Sequence, residues 1–213
     1  MLELEKSNIP TSTIIKLLSA GLLGLKKNRK LVPTRWSITA VDDSISKNKL
    51  ENIRYFSLIS DFQVFNAEYL GNHYEFLLLP STWEFEVIEI SMKSPSVWQD
   101  YESFFPRKKY ADSVTGAYYA NRLAVTEYLE KTKRQASCLV FREIRPEYYA
   151  PLGVGILRQA SREAFTKQPE HFSSLKEALE SIQSRLRLPL SNFTNKSIIL
   201  NNFGKQTRLQ QFL

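Results

Sequence analysis

The stretch Phe62-Gln63-Val64-Phe65-Asn66-Ala67-Glu68-Tyr69, then Leu70-Gly71-Asn72-His73, then Tyr74-Glu75-Phe76-Leu77-Leu78-Leu79, decides the fold. Both flanks have the length and the aromatic and apolar content of strands. The Gly71-Asn72 pair between them is a hairpin signal. Residues 83–92 read as a further strand of the same antiparallel sheet. Its apolar parity changes between Val87 and Ile88, which implies a bulge or burial on both faces. Downstream, spacing predicts a long helix over 115–131, a strand over 138–144, and helices over 154–166 and 173–186. Upstream, Pro10-Thr11-Ser12-Thr13 starts an amphipathic helix over residues 12–24. Residues 37–41 alternate and are β-branched, so they read as a strand, with a helix capped at Asp43-Ser44 or Ser46 running to Phe56. Residues 95–111 read as an irregular, aromatic and proline-containing excursion. This order of elements predicts an α+β fold, a small antiparallel sheet packed with several helices, in one domain over residues 1–187. After Glu180 no acidic residue appears, and from Leu188 the periodicity fails. Residues 188–213 therefore read as a flexible basic arm.

The 213 residues are 43% hydrophobic and 24% charged, with net charge +7 and a pI of about 9.4. That balance favours acidic partners, nucleic acid first and membrane surfaces second. Residues 14–25 are apolar but broken by Lys16, and neither a secretory signal nor a membrane span is present. A cytoplasmic, nucleoid-associated protein is the expectation. One cysteine, Cys138, lies in an apolar run and reads as a small buried residue of a reducing compartment. With His73 and His171 as the two histidines, neither a four-ligand zinc site nor a nucleophilic triad can be assembled.

A family resemblance rests on several blocks. The first is Val32-Pro33-Thr34-Arg35-Trp36-Ser37-Ile38-Thr39-Ala40-Val41-Asp42-Asp43. Leu77-Leu78-Leu79-Pro80 with Trp83-Glu84-Phe85-Glu86 follows, then Tyr118-Tyr119-Ala120-Asn121-Arg122-Leu123-Ala124-Val125. Arg134-Gln135-Ala136, Arg142-Glu143-Ile144-Arg145-Pro146-Glu147-Tyr148 and Pro151-Leu152-Gly153-Val154-Gly155 complete the set. In this order they resemble the archaeal Nre family of DNA repair proteins. The resemblance implies the C-terminal half of such a protein, with a separate cysteine-bearing N-terminal half outside this chain. It implies repair and gives no reaction to assign. The last residues, Gln206-Thr207-Arg208-Leu209-Gln210-Gln211-Phe212-Leu213, resemble a PIP box, the peptide that docks on the sliding clamp PCNA. On a short helical turn Leu209, Phe212 and Leu213 share a face that can plug a groove, and Gln206 fixes the register.

The candidate chemistry is sparse. Asp42 and Asp43 are expected to end a strand, where paired carboxylates hold Mg²⁺ or cap the next helix. Arg122 falls on the apolar stripe of Tyr118, Val125 and Leu129, so it pairs with a carboxylate such as Glu143 or faces a ligand phosphate. Arg142, Glu143 and Arg145 read as a solvated strand edge. Gly153, Gly155, Arg158 and Arg162 surround a predicted helix start, which attracts anions unless the glycines simply make a turn. Arg35 and the runs Lys26-Lys27-Asn28-Arg29-Lys30 and Arg107-Lys108-Lys109 are candidate phosphate contacts or solvated faces. Trp36, Trp83 and Trp98 stack on bases in a single-strand binder, whereas Trp83, flanked by strand residues, reads as core. Two function classes follow. One is a repair factor that binds DNA and is recruited by PCNA. The other is a phosphate-directed enzyme, a metal-dependent nuclease or nucleotide-processing protein using Asp42 and nearby acids and arginines. A pure adaptor is the third reading, disfavoured by the basic charge.

Overall fold

A computed structural model describes residues 1–94, 96–149 and 152–205, and its centre is the predicted hairpin. Strands β1 (Phe62–Tyr69) and β2 (Asn72–Leu79) pair antiparallel from Tyr69↔Asn72 to Gln63↔Leu78. The two-residue turn puts both Leu70 (φ 45°) and Gly71 (φ 78°) in the left-handed region. That is the primed-turn geometry that matches strand twist. A Cβ on Gly71 would stand 2.4 Å from the Tyr148 nitrogen, so glycine is required on two counts.

The remaining strands are β3 (Phe85–Ser91), β4 (Val97–Glu102), β5 (Ser137–Ile144) and β6 (Glu170–Phe172). They complete a sheet of order β4-β3-β5-β2-β1-β6. All neighbours run antiparallel except β3 and β5, which are parallel from Phe85↔Cys138 to Ser91↔Ile144. The sheet is therefore mixed. Strand β4 also gives regular structure to part of the stretch expected to be irregular.

Both faces of the sheet are covered, which explains the changed parity of β3: six of its seven residues are buried. On one face lie α3 (Thr34–Ile53), α4 (Gly116–Thr132) and α5 (Val154–Ala164). Phe76, Leu78, Trp83, Phe85 and Val140 pack there with Leu50, Tyr118, Val125 and Leu157. On the other face Leu77, Leu79, Ile88, Leu139 and Phe141 meet α6 (Leu175–Arg185) through Ala178 and Ile182. Helices α1 (Leu2–Lys6) and α2 (Thr11–Ser19) lie outside α3, with Ile14 and Ile15 against Val41, Ile45 and Leu123. Cys138 is buried, as expected. No helix among the described residues is long and apolar enough to cross a membrane.

Two expectations are overturned. The strand placed at 37–41 is the first half of the single helix α3. Its buried face includes Ser37, Thr39, Asp42 and Ser46 beside Val41, Ile45 and Leu50, so polar residues interrupt the apolar period that would have revealed the helix. The arm placed from Leu188 is folded as far as the described residues reach. Helices α7 (Ser191–Thr194) and α8 (Ile198–Asn202) bury Phe193 and Ile199 against the sheet. The buried Glu86 carboxylate holds the start of α8. It accepts from the Ser197 hydroxyl at 2.6 Å and from the amides of Ile198 and Ile199 at 2.9 and 3.1 Å. A carboxylate at a helix N-terminus satisfies amides that the helix itself leaves unpaired.

Candidate nucleic-acid interface

Most of the charged residues expected to bind are already bound to the protein. Asp42 and Asp43 sit in the middle of α3, one helical step apart, and face different ways. Asp42 is wholly buried towards α5, where Arg158 Nη1 donates to both its oxygens at 2.6 and 2.9 Å. Burial raises its pKa to about 6, against the pull of Arg158. Asp43 points about 100° further round the helix and is held by Arg122 and by Lys47 Nζ at 2.7 Å. The two carboxylates therefore share no ion site. Among the described residues no group of three His, Cys, Asp or Glu side chains could hold a metal ion.

Arg122 is fully buried, and its partners are Glu102 at 2.7 Å, Asp43, and Ser46 Oγ at 3.1 Å. Glu143 does not take that place. Burial works against its charge, yet Glu102, Tyr118 and Asp43 hold the guanidinium protonated more firmly than usual. The expected solvated edge at 142–145 is likewise interior. Arg142 pairs with Glu89 at 2.8 Å and with Asn72. Glu143 accepts from Arg145 at 2.7 Å and from the Arg187 and Leu188 amides. Strand β5 lies between β3 and β2, so it has no edge to solvate.

The α5 anion site is corrected on the same grounds. The helix starts at Val154 with Gly153 as its cap. Gly155 lies in the first turn, but Arg158 is engaged by the buried Asp42. Arg162 donates to Glu127 at 2.7 Å and to Thr11 Oγ1 at 3.0 Å. Pro151 and the docking residues Gln206, Leu209, Phe212 and Leu213 lie outside the described residues.

A different set of cations remains on the surface. Residues 103–115 lead from β4 to α4 and are tied to the end of α3, where Arg54 Nε donates to the Phe104 carbonyl at 2.8 Å. Near the start of α3 they close a cleft of about 240 Å³. Its walls are Trp36, Thr39, Ala40, Asp43 and Lys47 from α3, with Tyr119 from α4 and Arg107-Lys108-Lys109-Tyr110 opposite. Residues 36, 40, 43 and 47 recur at helical spacing, which brings the motif Trp and the second motif Asp to one face. Arg107 is anchored by Asp100 at 2.6 Å, and Asp100 also takes the Ser113 and Val114 amides, so the loop is well held. Lys108 and Lys109 are exposed and form no ion pair among the described residues. Arg35 lies over the Trp36 ring, 5.6 Å from its centroid. Lys26, Lys27, Arg29 and Lys30 are exposed just ahead of this helix. Sequence reasoning weighed Trp36 and the 107–109 run separately. The signal it missed was Tyr110, directly after the basic run, which joins them.

Comparisons with known proteins agree with the motifs. Residues 1–99 match the family model described as archaeal Nre, N-terminal, and residues 102–212 the one described as archaeal Nre, C-terminal. The likeness thus extends beyond the C-terminal half implied by the motifs. The chain is 42% identical over 178 residues to DNA repair protein NreA of Archaeoglobus fulgidus, covering 80% of this chain and 45% of that protein. To DNA repair protein NreB of the same organism it is 37% identical over 218 residues, covering 99% and 55%. To DNA repair protein NreA of Haloferax volcanii it is 35% identical over 208 residues, covering 92% and 49%. The chain spans about half the length of these relatives. No solved structure matches.

Proposed function

The chain belongs to the archaeal Nre family, and from that premise we propose that it is a DNA repair factor that binds DNA through the α3 cleft and is recruited by the sliding clamp PCNA. The observation that carries the DNA-binding part is the pair Lys108 and Lys109, exposed beside Lys47 and Arg107 without acid partners among the described residues. Lysines left free in this way are available to phosphates, and phosphate contacts position a protein on DNA without reading its sequence. The repair role is supported by the relatives' names. The recruitment is supported by the spacing of Gln206, Leu209, Phe212 and Leu213.

Each phosphate contact releases condensed counterions, so affinity falls with salt in proportion to the number of contacts. Replacing both Lys108 and Lys109 by alanine is expected to flatten the slope of log K against log salt by about 1.4–1.8. A slope identical to the parent's would remove the cleft from the interface. Clamp docking is tested separately: Phe212→Ala, which removes an aromatic anchor worth about 2 kcal/mol, is expected to weaken PCNA binding at least about tenfold. Binding that survives loss of residues 206–213 would end that half of the reading.

A further inference from the structure

A surface that merely held phosphates would gain nothing from exposed aromatic rings, yet the cleft displays two. Trp36 is 49% exposed and Tyr110 40% exposed. Their ring centroids are 6.0 Å apart and their planes 54° apart, so they flank the cleft without stacking on each other. Tyr110 is backed by Tyr119, stacked at 5.4 Å, whose hydroxyl is fixed by the Ala111 amide at 2.8 Å. The aromatic row continues inward through Tyr118 and Phe85 to the buried Trp83. One wall of the cleft is thereby held in place by the core, and little conformational entropy remains to be lost when a ligand packs on it.

We propose that this cleft takes a single unpaired DNA base, with its phosphates left outside on Lys108 and Lys109. The proposal rests on the DNA-binding reading above and names the form of DNA that the site prefers. Three observations support it. The volume of about 240 Å³ lies below the roughly 300–1,000 Å³ of sites for drug-sized ligands, which suits one base rather than a dinucleotide. The acid among the lining residues, Asp43, already compensates Arg122 and Lys47, so the cations left to attract a phosphate are the lysines at the rim. Beyond those two bonds the Asp43 carboxylate keeps acceptor capacity for the N–H groups of a base edge, groups that duplex pairing would occupy. Stacking on Trp36 or Tyr110 is indifferent to sequence, because every base has a π-face. In a regular duplex the bases are stacked and paired, so only single-stranded or extrahelical bases can enter.

The test is a titration of the full chain with a short single strand, a blunt duplex of the same sequence, and that duplex carrying one extrahelical base. The expected result is at least tenfold tighter binding of the single strand and the bulged duplex than of the blunt duplex. Trp36→Ala should lower single-strand affinity by about five- to hundredfold, the effect of removing one stacking partner, and should reduce the preference towards unity. Trp36→Phe, which keeps a ring, should retain most of it, and Tyr110→Ala provides an independent check. If the parent binds the blunt duplex as tightly as the single strand, or Trp36→Ala leaves the preference intact, the inference falls while the phosphate-binding reading survives. If the parent binds none of the three, both fall.

Discussion

The interior and the cleft treat positive charge in opposite ways. Arg122, Arg142 and Arg158 are buried, and each is matched to a carboxylate: Glu102 with Asp43, Glu89, and Asp42 respectively. Lys108 and Lys109 are exposed and matched to none among the described residues. A planar guanidinium suits a fixed carboxylate, because several N–H donors can be satisfied in one geometry. A strongly hydrated ammonium on a flexible stem suits a partner that comes and goes. The lesson is that the arginines most conspicuous in the sequence belong to the scaffold. The exposed lysines proposed to meet DNA sit in an unremarkable loop.

The largest test of this division is Arg122→Ala. It leaves Glu102 buried without its cation, and breaking a buried pair in this way costs about 3–5 kcal/mol. Urea denaturation should show a loss of that size, and a loss below about 1 kcal/mol would break the comparison. The next effect is one of pH. The Asp42 pKa is raised by burial from 3.8 to about 6. Between about pH 4 and pH 6 the folded chain therefore holds a proton that the unfolded chain has released. Stability from this group falls as pH rises through that window, by about 3 kcal/mol at most. Asp42→Asn should abolish that fall, so the parent gains on the variant at pH 4.5 relative to pH 7. A difference independent of pH would mean that Asp42 titrates like an exposed carboxylate. The smallest effect belongs to the cleft. Lys108→Ala combined with Lys109→Ala should change unfolding stability by no more than about 0.5 kcal/mol. A larger loss would make these lysines part of the scaffold and erase the contrast.

Legibility in the sequence follows the same boundary. The β1–β2 hairpin, α4, β5, α5 and α6 stand where spacing and turn residues place them, because apolar residues still set the period of their buried faces or their caps are explicit. Ser174 and Glu177, for example, form a reciprocal capping box at the start of α6. Misreadings occur where the buried face is polar. Helix α3 hides Ser37, Asp42 and Ser46, so its β-branched Ile38, Thr39 and Val41 read as strand. Strand β4 turns Asp100 and Glu102 inward to meet Arg107 and Arg122, and two buried acids leave little apolar pattern to detect. Helices α7 and α8 are too short to show a period, and the start of α8 is held by Glu86, about 110 residues earlier in the chain. The cleft was half legible. Trp36 and the basic run at 107–109 were visible, but their meeting depends on the path of the loop between β4 and α4, which no local pattern encodes.

The grip of Glu86 on α8 has a mechanical consequence. It fastens the end of the described chain to the third strand, in the body of the sheet, and Lys205, the last described residue, immediately precedes Gln206. No long spacer separates the body from the proposed docking motif. A clamp that held Leu209 and Phe212 would therefore carry the body on a short tether rather than a long leash. The reach of the cleft would be small and its local concentration at DNA near the clamp correspondingly high. Inserting flexible residues after Lys205 would lengthen that reach while leaving both binding surfaces chemically unchanged.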